Sequence, residues 1–225
     1  GGLIREADGF RLAFGFDGQS RTIESRWIVA CAGAGNADVL EVAGHDPRRM
    51  QKRELRMGLV RGALPALHGH CILGGKTRLT ITSIDVGEGR RVWQVGGEFA
   101  ERRAATNDDG FYGELGHELR VALPGLSLSD AEVADYPAVR AEAATEAGRR
   151  PSGVQVEAIE ERFLVAWPTK WAMAPLLADE VLETIRPVLS PSSAPADPGD
   201  WPRAELGTPP WEQATWRDAH SAVPV

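Results

Sequence analysis

Long apolar runs are missing from this chain, and none approaches the roughly 20 residues that a helical membrane span requires. Cysteine is scarce: the two thiols, Cys31 and Cys71, both sit in apolar runs. That placement predicts buried free thiols over a disulfide, and with it a reducing, cytoplasmic setting. An excess of positive charge is also absent. The formal net charge is -7, and the paired arginines Arg102-Arg103 and Arg149-Arg150 are short runs, not a basic stripe. A nucleic-acid partner is therefore not expected. No secretory signal opens the sequence, which starts with Gly1-Gly2 and leads at once into a strand-like run. The expectation from that start is a chain whose beginning has been cut or is missing.

What is present reads as α/β. Strands are expected at Leu3–Arg5 and Phe10–Phe16, with a hairpin turn at Asp17-Gly18. A third strand is expected from Thr22 to Cys31. A small-residue turn, Ala32-Gly33-Ala34-Gly35, precedes a short helix up to Ala43, and a polar connector follows from His45 to Glu54. Further strands are expected at Met57–Arg61, Leu79–Ile84, Val92–Val95, Val154–Ala158 and Phe163–Trp167. Glu132–Val139 reads as a strand interrupted near Pro137, and Gly62–Gly75 as a loop. Helices are expected at Phe111–Leu123 and, most strongly, at Leu176–Arg186, where Leu177, Val181 and Ile185 share a face. From Ser190 a Pro- and Ser-rich stretch reads as mobile linker, with Trp201, Trp211 and Trp216 beyond it able to pin the end of the chain to a surface.

Several motifs fall short of a known chemistry. Gly75-Lys76-Thr77 ends like a phosphate loop, but His70 stands where that loop needs glycine. Gly33-x-Gly35 resembles a dinucleotide fingerprint whose third glycine is replaced by Asp38. An NAD-dependent Rossmann start there would require a parallel βαβ unit after Ala37. His68 and His70 are spaced to share one strand face, yet no third metal ligand lies near them, so no metal is expected. The stretch Trp167-Pro168-Thr169-Lys170-Trp171 joins a buried strand to the strongest helix. A helix N-terminus there would suit negative charge, with Lys170 adding to it. The plainer alternative is that Thr169 caps the helix and Lys170 is solvated.

The order of these pieces resembles the FAD-dependent oxidoreductases of the D-amino-acid oxidase and glycine oxidase superfamily. The similarity rests on the strand and turn from Ser25 to Asn36, on Leu59-Val60-Arg61-Gly62 and on the step Gly96-Gly97-Glu98. Leu123-Pro124-Gly125-Leu126, Tyr136-Pro137-Ala138-Val139-Arg140 and the segment Phe163–Leu189 complete it. It covers about residues 1 to 189. The family's N-terminal GxGxxG does not occur in the sequence, and its glycine-rich C-terminal flavin turn is here Trp-Pro-Thr-Lys.

The resemblance implies FAD as cofactor and hydride transfer to the flavin from a small amine, amino acid or hydroxy acid. It implies that residues 1–55 and 159–189 are parts of an FAD-binding domain. Residues 56–158 would form an antiparallel-sheet substrate domain, and 190–225 a tail. It places Ala32, Gly33, Ala34, Gly35, Trp167, Pro168, Thr169, Lys170 and Trp171 at the cofactor. Arg140 and then Arg61 become candidates for a substrate carboxylate, because a guanidinium offers a planar pair of donors. The alternative for each arginine is an ion pair, for Arg140 with Glu142 or Glu146. The rival reading is a non-catalytic module that holds a ligand or partner on its sheet.

Overall fold

The computed structural model describes residues 2–16, 18–102, 104, 110–146, 148–188 and 205–223. In chain order the elements are β1 (Gly2–Glu6), β2 (Gly9–Phe16), β3 (Gln19–Ser25), β4 (Ile28–Ala30), α1 (Asn36–Val42), β5 (Met50–Gly62), β6 (His68–Leu73), β7 (Lys76–Asp85) and β8 (Arg91–Gly96). They continue with α2 (Glu98–Arg102), α3 (Gly110–Ala122), β9 (Glu132–Ala143), β10 (Gln155–Glu160), β11 (Phe163–Trp167), α4 (Ala174–Ile185), α5 (Pro210–Gln213), β12 (Arg217–Asp218) and α6 (Ala219–Ala222). The mixture of helices with sheets is the expected α/β class.

The chain divides into two compact units: described residues within 1–53 and 140–199 form one, those within 54–139 and 200–225 the other. The chain leaves the first unit after Arg53 and returns to it at Arg140. The cause is β9, which runs unbroken through Pro137 as a 12-residue strand and carries its last residues into the first unit. Only Glu132 and Val133 of β9 pair with β12. Beyond them β9 is the outer strand among those described, the setting in which a sheet tolerates a residue without an N–H.

The first unit holds the antiparallel meander β1-β2-β3 and a second sheet ordered β10-β11-β4. The expected strand from Thr22 to Cys31 is two strands, β3 and β4, broken at Arg26-Trp27. In the second sheet β10 and β11 are antiparallel, whereas β11 and β4 are parallel. All five residues of β11 are buried, as a strand covered on both faces requires. Phe163, Val165 and Trp167 pack with Phe10, Leu40 and Met50. Ala166 packs with Val154 and Leu177, the latter from the apolar face of α4.

The second unit is built on a six-stranded sheet ordered β12-β9-β5-β8-β7-β6. Phe111, Leu115 and Leu119, one helical stripe of α3, pack on Val60, Leu79, Trp93 and Val95. Gly97, at φ +92°, lets the backbone pass where a Cβ would stand 2.8 Å from the Arg78 carbonyl oxygen. The stretch expected to be a loop contains β6, which pairs with β7 from His68 to Leu73. Trp211, Ala214 and Trp216 pack on Leu59, Val92, Ala134 and Tyr136, so this part of the tail is docked. The expected mobile segment Ser190–Asp200 and Trp201 lie outside the described residues.

The cysteines are free, but Cys31 is exposed and Cys71 half-buried, against the expectation of buried thiols. Cys31 follows the last residue of the very short β4 and already belongs to the turn.

Candidate functional site

Two turns that the sequence singles out separately come together in the first unit. Ala32–Gly35 leaves β4 and Pro168–Trp171 leaves β11. Because the two strands are parallel neighbours, both turns emerge at the same, carboxyl-terminal edge, where open α/β sheets place their ligands. Ala32, Gly33 and Ala34 are exposed. Gly33 has φ +57° with open space where a Cβ would be, so its glycine serves backbone conformation, not a tight approach.

Asn36 ties the first turn to β11. Its side chain is fully buried. Its Oδ1 accepts the Ala32 N–H at 2.8 Å, and its Nδ2 donates to the Ala166 carbonyl at 3.4 Å. The sequence marks Asn36 only as the start of a helix; nothing local shows that a side chain reaches 130 residues along the chain.

The second turn is more constrained than a helix cap. Thr169 has φ +59°, an outlier for a β-branched residue. The Lys170 N–H bonds the Pro168 carbonyl at 2.5 Å, closing a tight three-residue turn. Thr169 does not cap the helix; its hydroxyl donates to the Gly153 carbonyl at 2.5 Å. Helical structure begins with a 3-10 turn at Trp171–Met173, for which extended Lys170 is the N-cap residue, and α4 follows from Ala174. Among Thr169, Lys170 and Trp171, the lysine amide is already engaged. Lys170 is exposed and Trp171 is 87% exposed. Trp167 is buried, and its indole N–H has no hydrogen-bond partner among the described residues.

A charged cluster that the sequence does not reveal backs this turn. Glu142 is fully buried and accepts two hydrogen bonds from Arg53, at 2.9 and 3.0 Å. Arg140 and Arg150 approach it at 3.8 and 3.9 Å. Arg150 also donates to the Thr169 carbonyl at 3.1 Å. Arg140 thus stands beside Glu142, one of the two ion-pair partners its sequence position suggests.

Arg61 belongs to the second unit. It makes a two-point bond to Glu132, both contacts at 2.9 Å, and its guanidinium lies 4.1 Å over the Trp216 ring. The Arg61 hydrogen bond holds the Glu132 carboxyl below its ordinary range, burial partly opposing and Arg90 adding to the effect. Arg61→Met should loosen the docked tail, at a cost of about 1 kcal/mol for a partly exposed pair with a stacked cation. A carboxyl with a depressed folded-state pKa contributes stability above its unfolded pKa and loses it as pH falls through the folded value. The variant should therefore differ most from the parent at neutral pH and less in acid, where only the lost stack on Trp216 remains. Protease cleavage near Trp211–Trp216, followed across pH, checks this.

His68 and His70 lie on β6, and the His70 Nδ1 is 2.9 Å from the Thr80 hydroxyl. Among the described residues no three His, Cys, Asp or Glu side chains gather as a metal site, and no helix is long and apolar enough to cross a membrane. A dinucleotide fold starting at Gly33 is ruled out by topology. After α1 the chain enters β5, which pairs antiparallel with β8 and forms no parallel βαβ unit with β4.

Two turns at the ends of neighbouring parallel strands, exposed at Ala32–Ala34 and at Lys170–Trp171, are the geometry on which a comparison with known proteins can be set. The chain is similar to an FAD-dependent oxidoreductase. It is 37% identical over 198 residues to the probable FAD-dependent oxidoreductase PA4991 of Pseudomonas aeruginosa, covering 86% of this chain and 50% of the relative. The crystal structure of the FAD-dependent oxidoreductase PA4991 from Pseudomonas aeruginosa superimposes with a TM-score of 0.78 at 35% identity, over 94% of this chain and 58% of that one. The chain therefore spans a little over half the length of the relative it matches. A structure of CabE, an aromatic hydroxylase from angucycline biosynthesis, matches at a TM-score of 0.35 and 19% identity, too weak to argue from. No protein-family model matches the chain.

Proposed function

We propose that this chain is part of an FAD-dependent oxidoreductase, a soluble, cytoplasmic enzyme of the D-amino-acid oxidase and glycine oxidase type. The observation that carries the reading is the pair of turns at the carboxyl ends of parallel β4 and β11, the first of them tied to β11 by Asn36. Similarity to PA4991 names the cofactor class. The residues fit such a group: Ala32, Gly33 and Ala34 of one turn and Lys170 and Trp171 of the other are open to solvent. Bound FAD supplies hydride acceptance, here from a small amine, amino acid or hydroxy acid.

The cofactor residues all lie in the first unit. Ala32–Gly35 and Trp167–Trp171 hold the flavin. The amides of Trp171 and Ala172 start a helical segment and carry its partial positive charge, and Lys170 adds a full one. Such charge favours a flavin that becomes anionic on reduction. Arg140 is assigned to a substrate carboxylate, with Arg61 second. Each already faces a carboxylate, so a substrate would share the guanidinium with Glu142 or Glu132.

The test is to release any flavin from the purified protein by denaturation and identify it by its spectrum. Amines, amino acids and hydroxy acids are then screened for anaerobic bleaching. This chain without the N-terminal GxGxxG part is expected to bind no FAD tightly, so the test needs the full-length protein. If that carries no flavin and takes up none, the enzyme reading falls in favour of a binding module. Lys170→Met should lower the flavin midpoint potential by about 30 mV per 1.4 kcal/mol of lost stabilisation. Dye equilibration measures it; equal potentials in two folded, flavin-loaded proteins would reduce Lys170 to a surface lysine.

A further inference from the structure

We propose that Arg150 is a positioning residue that holds the strained Thr169 turn in its cofactor-receiving shape; this rests on the flavin reading above. A non-glycine residue in the left-handed region costs about 1–3 kcal/mol and persists only where its surroundings hold it. Thr169, at φ +59°, has two tethers. Its hydroxyl bonds the Gly153 carbonyl, and its own carbonyl accepts from Arg150 at 3.1 Å. Both tethers come from the segment before β10, which the β10–β11 pairing brings opposite the turn, Gln155 standing across from Trp167.

The segment is itself fixed. The Arg149 carbonyl accepts from the Gln51 side chain at 2.9 Å and from the Thr145 hydroxyl at 2.8 Å. The Arg150 Nε lies 3.9 Å from the buried Glu142 carboxylate, which holds the guanidinium on this side. Arg150 thus connects a charge anchored in the core to the backbone of a turn whose next residues, Lys170 and Trp171, are exposed. The side chain is placed to act through the turn; it is not assigned to touch substrate.

The test uses the FAD-loaded protein and Arg150→Met, which keeps an apolar stem but loses the guanidinium. FAD affinity is followed by flavin fluorescence and its environment by the visible absorption band. Loss of a charge-assisted hydrogen bond that preserves the turn should weaken FAD binding about tenfold and shift the band. Arg150→Lys, which can still reach the Thr169 carbonyl, should recover most of the affinity. In a Thr169→Gly background the left-handed conformation carries no side-chain strain, and Arg150→Met should then have much less effect. Unchanged affinity and spectrum in Arg150→Met would overturn the proposal. So would an equal loss in both backgrounds, which would mark a general support of the fold. Should Arg150→Met not fold, Arg150→Gln, which is shorter and uncharged, is compared in the two backgrounds by the same criterion. A full-length parent protein that binds no flavin fails the functional reading first, before any variant is made.

Discussion

Glu142→Gln should destabilise the protein by about 3 kcal/mol, because removing one partner of a buried ion pair leaves the other uncompensated. The carboxylate is fully buried, whereas Arg53, Arg140 and Arg150 keep 21%, 25% and 32% of their side chains in contact with water. That residual hydration holds the cost near the low end of the 3–5 kcal/mol typical of such pairs. The amide can still accept one bond from Arg53, but it can also present an N–H to a guanidinium, and it no longer offsets three positive charges. Chemical denaturation of parent and variant gives the difference directly. A change under about 0.5 kcal/mol, the scale of an ordinary surface substitution, would show that the arginines are solvated well enough to stand alone. Glu142→Leu, which leaves no acceptor, should be worse than Glu142→Gln; the reverse order would place the cost in packing instead of charge.

That cluster also shows where reading the sequence stops. Elements built on apolar periodicity are legible: the stripe Phe111, Leu115, Leu119 appears as α3, and Leu177 and Val181 lie on the packed face of α4. The first half of β5 is not. Gln51, Lys52, Arg53 and Glu54 read as a polar connector, yet they extend the strand back to Met50. Gln51 and Arg53 are there to meet Glu142, some 90 positions on, and a polar residue with a distant polar partner leaves no local trace. β6 is missed for a related reason. Gly69 and the histidines carry little strand preference, and pairing with β7 makes the strand. Each turn of the candidate site is visible singly as a break after a buried strand. Their adjacency depends on parallel pairing between residues about 135 apart, and the joint that Asn36 makes from the first turn to β11 depends on the same topology.

Asn36→Asp tests that joint, and its expected signature is a pH dependence. The replacement has the same shape. When protonated, it can accept the Ala32 N–H with one oxygen and donate to the Ala166 carbonyl with the other, reproducing both bonds of the amide. When ionised, it sets a negative oxygen against the Ala166 carbonyl oxygen in a site with no exposure to water. Burial and that repulsion both raise the folded-state pKa of the new carboxyl above its unfolded value. The native state then binds a proton that the unfolded state has released. Stability relative to the parent must fall as pH rises from the unfolded value, about 4, until the folded group itself ionises. The loss is about 1.4 kcal/mol for each pH unit of that interval, so a shift of two units or more costs about 3 kcal/mol at neutral pH. Thermal unfolding at pH 4 and pH 8 should give near-equal midpoints for parent and variant at the lower value and a large gap at the higher. FAD affinity should follow the same profile, since the first turn loses its tie to β11. A gap of equal size at both pH values would mean that the carboxyl finds water or a counter-charge, and that Asn36 is not a dry link between the β4 turn and β11.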